Sequence, residues 1–116
     1  MNFRPKAFEA VIEVGSECEE CVIVHGWLHV DGQWVLHAWG ETAEAVYDLT
    51  ESREPIKKEE YYQRLGVTEE RLRRYDRIAF FTLLGDHRHF GPYDKEFFFA
   101  ETSATDPLLR ASGGQA

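Results

Sequence analysis

Apolar residues recur at two different periods along this chain, and the change of period marks its elements. Between residues 4 and 14, Phe8, Val11 and Ile12 stand at i, i+3 and i+4, one face of a helix. Pro5 suits the first helical position, and Gly15 is expected to stop the helix. An acidic loop follows over 16–20. From Cys21 the pattern changes. CVIVHGWLHV (21–30) and QWVLHAWG (33–40) are rich in strand-forming Val, Ile and Trp, and Asp31-Gly32 between them signals a two-residue hairpin turn. That turn pairs Val30 with Gln33, Gly26 with His37 and Val24 with Trp39. A third strand is predicted over Glu44 to Thr50, after a tight connection around Thr42-Ala43. Its register sets His37 opposite Asp48 and Trp39 opposite Val46.

Directly opposed residues share a face of a sheet. One face of this meander then carries Val24, Gly26, Leu28, Val35, His37, Trp39, Val46 and Asp48. The other carries His25, Trp27, His29, Trp34, Leu36, Tyr47 and Leu49. Both are apolar enough to require cover. Further on, Pro55 to Leu65 reads as a helix with Gly66 as its stop. Thr68 suits the N-cap of a helix with Glu69 and Glu70 in its first turn, running to Leu84 and ending at Gly85. The apolar run Arg77 to Leu83 fits helix or strand, and so do residues 77–84 as a whole; helix is favoured. Lys95 to Glu101 reads as a short strand. The expected fold is α+β: an N-terminal helix on an antiparallel meander of three or more strands, followed by helical segments. One domain over 1–110 and a small, polar, flexible tail over Ala111 to Ala116 complete the expectation.

Size and charge narrow the function. A chain of 116 residues fits one domain, and 43% hydrophobic residues suffice for a core. The net charge of −8 argues against nucleic acid or an anionic membrane as the main partner, since both attract positive charge. No apolar run approaches the roughly 20 residues that span a bilayer. Glu9 and Glu13 interrupt the N-terminal segment, which therefore does not read as a signal peptide, and a cytoplasmic location is expected.

The pairing of His37 with Asp48 is the sharpest chemical feature. A carboxylate against an imidazole fixes its tautomer and raises its basicity, as a general base requires. Gly26 beside the ring is expected to leave an open notch for a nucleophile or substrate, with Trp39 as a wall; both count as candidate binding residues. The plainer reading is a polar pair at a sheet margin, with Gly26 marking a bulge or a close backbone approach.

Taken in order, Gly26-Trp27, His37-Ala38-Trp39, Val46-Tyr47-Asp48-Leu49-Thr50, Tyr61-Tyr62 and Gly66 resemble the papain-like/transglutaminase-like core of small bacterial and phage proteins. Phe90-Gly91-Pro92-Tyr93 adds to the likeness, which covers roughly residues 20–93. The resemblance implies a Cys-His-Asp triad, with the thiol at the start of a helix packed on the sheet, His37 as base and Asp48 as orienter. This chain departs from the pattern there: Phe3, Arg4 and Pro5 occupy the helix start. Cys21 lies five residues before Gly26, about 16 Å along a strand, and alternation points it to the opposite face. Cys18 lies further back and is the remaining candidate nucleophile within the chain.

Other features admit plain readings. Cys18-Glu-Glu-Cys21 is a CxxC that reads as two ordinary cysteines at a loop-strand junction: its only plausible metal-site complement is His87 and His89, far along the chain, and a redox CxxC usually follows a strand and opens a helix, whereas this one precedes a strand and is flanked by acids. Arg71, Arg73, Arg74 and Arg77 read as a solvated face, or as a patch for an anionic partner. Gly85 to Asp94 has the composition of a ligand loop, and Phe97-Phe98-Phe99 is core or a dimer contact. The expectation is a non-catalytic protein or a module binding protein or peptide, without a cofactor or resident metal; a homodimer is compatible. The alternatives are an active thiol hydrolase or acyltransferase using His37 and Asp48 with Cys18 or a partner-chain thiol, and a metal-binding interaction protein.

Overall fold

The computed structural model describes residues 2–99 of the chain. The expected tail, 111–116, lies outside them. Helix α1 (Pro5–Glu17) begins at the predicted proline and passes through Gly15 instead of stopping there. Gly15 is buried beneath Phe81, and its carbonyl accepts a 2.6 Å bond from Arg77 Nε. Ala7, Phe8, Val11 and Val14 line its buried face.

Strands β2 (Val22–Val30) and β3 (Gln33–Glu41) form the predicted hairpin in the predicted register, with Gly26 against His37 and Val24 against Trp39. Asp31 and Gly32 both have positive φ, 52° and 76°, the geometry that joins twisted strands in two residues. The short strand β1 (Asn2–Phe3) runs parallel to β3 at Val35 and Leu36.

The next connection differs from expectation. Strand β4 (Ala45–Tyr47) is three residues long and pairs Gly40 with Tyr47 and Glu41 with Val46, two residues away from the predicted register. The cause is Thr42. Its hydroxyl accepts from the N–H groups of Glu44 and Ala45, and its N–H bonds the Ala45 carbonyl at 2.8 Å, which centres the turn on Ala43-Glu44. A slip of two preserves the alternation of faces, so Asp48 stays on the side of His37.

Strand β5 (Ile56–Lys57) precedes helix α2 (Lys58–Leu65), so the helix predicted from Pro55 starts later; Gly66 ends it in the left-handed conformation, as expected. The helix predicted from Thr68 is replaced by a 3₁₀ turn (Glu69–Arg71) and strand β6 (Leu72–Tyr75). Helix α3 (Arg77–His87) starts afresh at Asp76, whose side chain accepts from Ala79 N–H at 2.7 Å, and runs through Gly85. Residues 77–84 are therefore helical. Residues 95–99 are helical as well, not a strand; 100 and 101 lie outside the described residues.

The fold is α+β. The sheet order is β5-β4-β3-β2-β6, antiparallel throughout this path. Both faces are covered. One packs Ile23, Trp27, Leu36 and Ala38 beneath Phe8 and Val11 of α1, Phe80 of α3, and Phe98. Trp27 Nε1 donates to the Phe98 carbonyl at 3.2 Å, so part of the triple phenylalanine is core, while Phe99 is exposed. The other face packs Val24, Leu28, Trp39 and Val46 beneath Tyr61 and Leu65 of α2. Burying one tryptophan removes about 200 Å² from water, worth about 5 kcal/mol before conformational entropy is counted. Trp27 and Trp39 thus anchor one layer each. No helix among the described residues is long and apolar enough to cross a membrane.

Candidate functional site

His37 projects from the middle of β3 on the α2 side, and Asp48 follows directly after β4. His37 Nε2 donates to Asp48 Oδ2 at 2.8 Å. The same oxygen accepts from the Tyr61 hydroxyl at 2.7 Å, while Asp48 Oδ1 accepts from Thr50 N–H at 3.0 Å and from Thr50 Oγ1 at 2.6 Å. Chain geometry explains the position of Asp48: its carbonyl accepts from Glu51 and Ser52, folding the segment after β4 into a tight turn. The predicted pair therefore exists, with Tyr61 and Thr50 added to it. Tyr61 stood in the tyrosine-rich segment of the sequence, but nothing in the spacing said where its hydroxyl would go.

The electrostatics follow from these contacts. Burial would raise the Asp48 carboxyl, but the bonds from His37, Thr50 and Tyr61 outweigh it and hold the group below its ordinary range. Burial, reinforced by the Asp48 charge, pushes the Tyr61 hydroxyl far up. Tyr61 thus remains a neutral donor, and Asp48 a carboxylate. His37 Nδ1 is buried and finds no hydrogen-bond partner among the described residues.

The notch expected at Gly26 is filled. A Cβ on Gly26 would stand 2.9 Å from Leu72 Cβ and 3.1 Å from Trp39 Cη2. Glycine is required there because β6 and the Trp39 indole both close upon it, which is the close backbone approach of the plainer reading. Trp39 also lies over the His37 ring, with centroids 6.2 Å apart. His37 is 0% exposed and Asp48 2%.

The cysteines are elsewhere. The Arg4 N–H bonds the Leu36 carbonyl, so the start of α1 sits beside the neighbour of His37. Thr50, which holds Asp48, shares a cleft with Phe3, Arg4, Pro5 and Lys6. Cys18 caps the other end of the 13-residue α1, about 20 Å away along the helix. Cys21 Sγ packs near Gly40 and Val14, on the α1 side of the sheet, whereas His37 faces α2. Neither sulfur joins the His37–Asp48 pair.

A second buried network was missed by sequence reasoning. Glu41, 1% exposed, accepts from Trp39 Nε1 at 3.0 Å, the Tyr62 hydroxyl at 2.6 Å, Arg74 Nε at 2.7 Å and Lys58 Nζ at 2.9 Å. Burial opposes its charge, but these donors outweigh that and hold the carboxyl below its usual range. A lone glutamate ending an apolar strand carries no signature of such convergence.

The arginine stretch is engaged internally. Arg71 lies over the Trp34 ring, Arg73 over Phe97 and against Asp94, Arg74 between Glu41 and Glu69, and Arg77 on the Gly15 carbonyl. Near the end of α3 the His87 ring stacks on Tyr93, and the His89 ring lies tilted against the same tyrosine. Among the described residues, no group of three or more His, Cys, Asp or Glu is placed to hold a metal ion, so the CxxC and these histidines are not brought together. Comparison of the chain with protein-family models, curated proteins and solved structures gives no match.

Proposed function

We propose that this chain is a non-catalytic protein resembling the papain-like/transglutaminase-like core, in which the His-Asp pair has become a structural element and the outer surface binds a protein or peptide. The observation that carries this reading is the sealing of the pair. His37 is wholly buried, Asp48 is bonded by His37, Tyr61 and Thr50, and Trp39 and Leu72 occupy the space beside Gly26. At the start of α1, where the family's thiol belongs, stand Phe3, Arg4 and Pro5. An active enzyme using Cys18 needs its sulfur at the opposite end of α1, and a thiol from a partner chain needs access to a ring that has none. The net charge of −8 and the internal engagement of the arginines favour a protein or peptide partner, a second copy included, over nucleic acid or an anionic membrane. Exposed Ile78 and Phe90 offer apolar contact of the kind such partners use. A cytoplasmic location is part of this proposal.

The test compares wild type with His37→Asn on fluorogenic esters, thioesters and peptide amides. Neither protein is expected to exceed buffer hydrolysis. The variant should instead lose about 1–3 kcal/mol of stability in urea unfolding, because it disrupts a buried hydrogen-bonded site. Turnover by wild type that falls tenfold or more in a folded His37→Asn variant would overturn the non-catalytic reading. A peptide array without a signal above background, together with a monomer by sedimentation at tens of micromolar, would remove the binding role.

A further inference from the structure

The two cysteines of the chain stand apart from the His37–Asp48 site but close to one another. Helix α1 ends at Cys18, whose N–H bonds the Val14 carbonyl at 2.8 Å. The chain then turns through Glu19 and Glu20, and Cys21 N–H returns to the Cys18 carbonyl at 3.3 Å. A four-residue turn closed in this way holds its end Cα atoms within about 7 Å. A disulfide asks for about 4.4–6.8 Å. The two cysteines stand at the two ends of this turn. Their exposure is unequal: Cys18 is partly exposed and lines an open cleft of about 540 Å³, while Cys21 is 2% exposed.

We propose that Cys18 and Cys21 are an oxidisable dithiol that closes to an intramolecular disulfide by exchange with small-molecule disulfides, Cys18 attacking and Cys21 resolving. This goes beyond the proposed binding role and does not depend on it.

The chemistry proceeds in two displacements. Cys18 gives up its proton and its sulfur attacks one sulfur of the small disulfide. That S–S bond breaks, one small thiolate leaves, and it takes up a proton. Cys21 then gives up its proton and attacks the Cys18 sulfur of the mixed disulfide, releasing the second small thiolate, which is protonated in turn. Two protein thiols are oxidised, and one small disulfide is reduced to two thiols.

The surroundings assign the roles. Burial, the neighbouring Cys18, and the fields of Glu20 and Glu41 all push the Cys21 thiol up. Cys21 is thus shielded and slow towards reagents in solution, yet stands at the other end of the turn that carries the sulfur it has to attack. The cleft around Cys18 carries Glu13, Glu17, Glu19 and Glu20 against Arg53. Four carboxylates facing one guanidinium favour a cationic disulfide over an anionic one.

The full reduced chain is incubated at mildly alkaline pH and low salt with cystamine or oxidised glutathione, then quenched in acid for intact-mass analysis and peptide mapping. The expected wild-type product has lost two hydrogens, carries no adduct, remains monomeric and maps to a Cys18–Cys21 bridge. Cys21→Ser should stop at a cystamine adduct on Cys18; Cys21→Ala, which keeps the buried position apolar, should do the same if the serine variant fails to fold. Cys18→Ser should react at least about tenfold more slowly than wild type. Cystamine should outpace oxidised glutathione by about threefold or more, with the gap narrowing as salt is added. A stable adduct on wild type, a disulfide-linked dimer, or thiols that react only after denaturation would overturn the dithiol. Equal rates for the two reagents at low salt would overturn the charge selection.

Discussion

Gly26 shows how one missing side chain can define a site. Its β2 position faces His37, yet the space a Cβ would take already holds Leu72 and the edge of Trp39. Gly26→Ala must move β6 or the indole, and the expected loss is about 1–3 kcal/mol in urea or thermal unfolding. A variant as stable as wild type would mean that β6 adjusts freely, and the notch could then open. The same crowding explains why spacing alone misjudged the notch. A glycine next to a histidine looks like room for a ligand in a list of residues. Whether it is room depends on a strand from residues 72–75, which arrives from far along the chain.

At the level of elements, local chemistry decided what was legible. The hairpin was read correctly because Asp31-Gly32 permits few other conformations. The start of α1 and the end of α2 were likewise marked by Pro5 and Gly66. Strand β6 was hidden: Leu72, Arg73, Arg74 and Tyr75 supply little apolar alternation, and they form a strand because β2 offers an open edge there. The break after it comes from Asp76, which caps α3 and separates the strand from the helix. Asp76→Ala should lower stability by about 1 kcal/mol, and Asp76→Ser should recover most of it, as thermal unfolding would show. An alanine variant without loss would indicate that packing of Phe80 alone sets the helix start.

Across the whole molecule, buried ionisable groups on both faces make the fold acid-sensitive. His25 lies among Phe8, Tyr75, Phe80 and Tyr93, and burial lowers its pKa from 6.5 to about 3. Below pH 6.5 the unfolded chain takes up a proton there that the folded chain refuses. The His25 contribution is therefore complete above that pH and falls as pH drops towards 3. The expected loss from this group is about 2 kcal/mol between pH 7 and 5. Asp48 and Glu41 have depressed carboxyls, so their contribution is present above the ordinary carboxylate range and is lost in more acid solution. Urea midpoints at pH 7, 6 and 5 should fall for wild type and fall much less for His25→Leu; parallel lines would show that His25 is not the group that titrates. Sequence alone determined the α+β class, the first hairpin and the shared face of His37 and Asp48, because short-range turn chemistry and the alternation of a strand survive even a two-residue slip. Tertiary structure alone decided that this face is sealed, that Tyr61 and Thr50 complete the pair, and that Glu41 gathers Lys58, Tyr62 and Arg74. Those outcomes depend on which distant segments compete for the same buried space, and burial is a property of the assembled layers rather than of any stretch of chain.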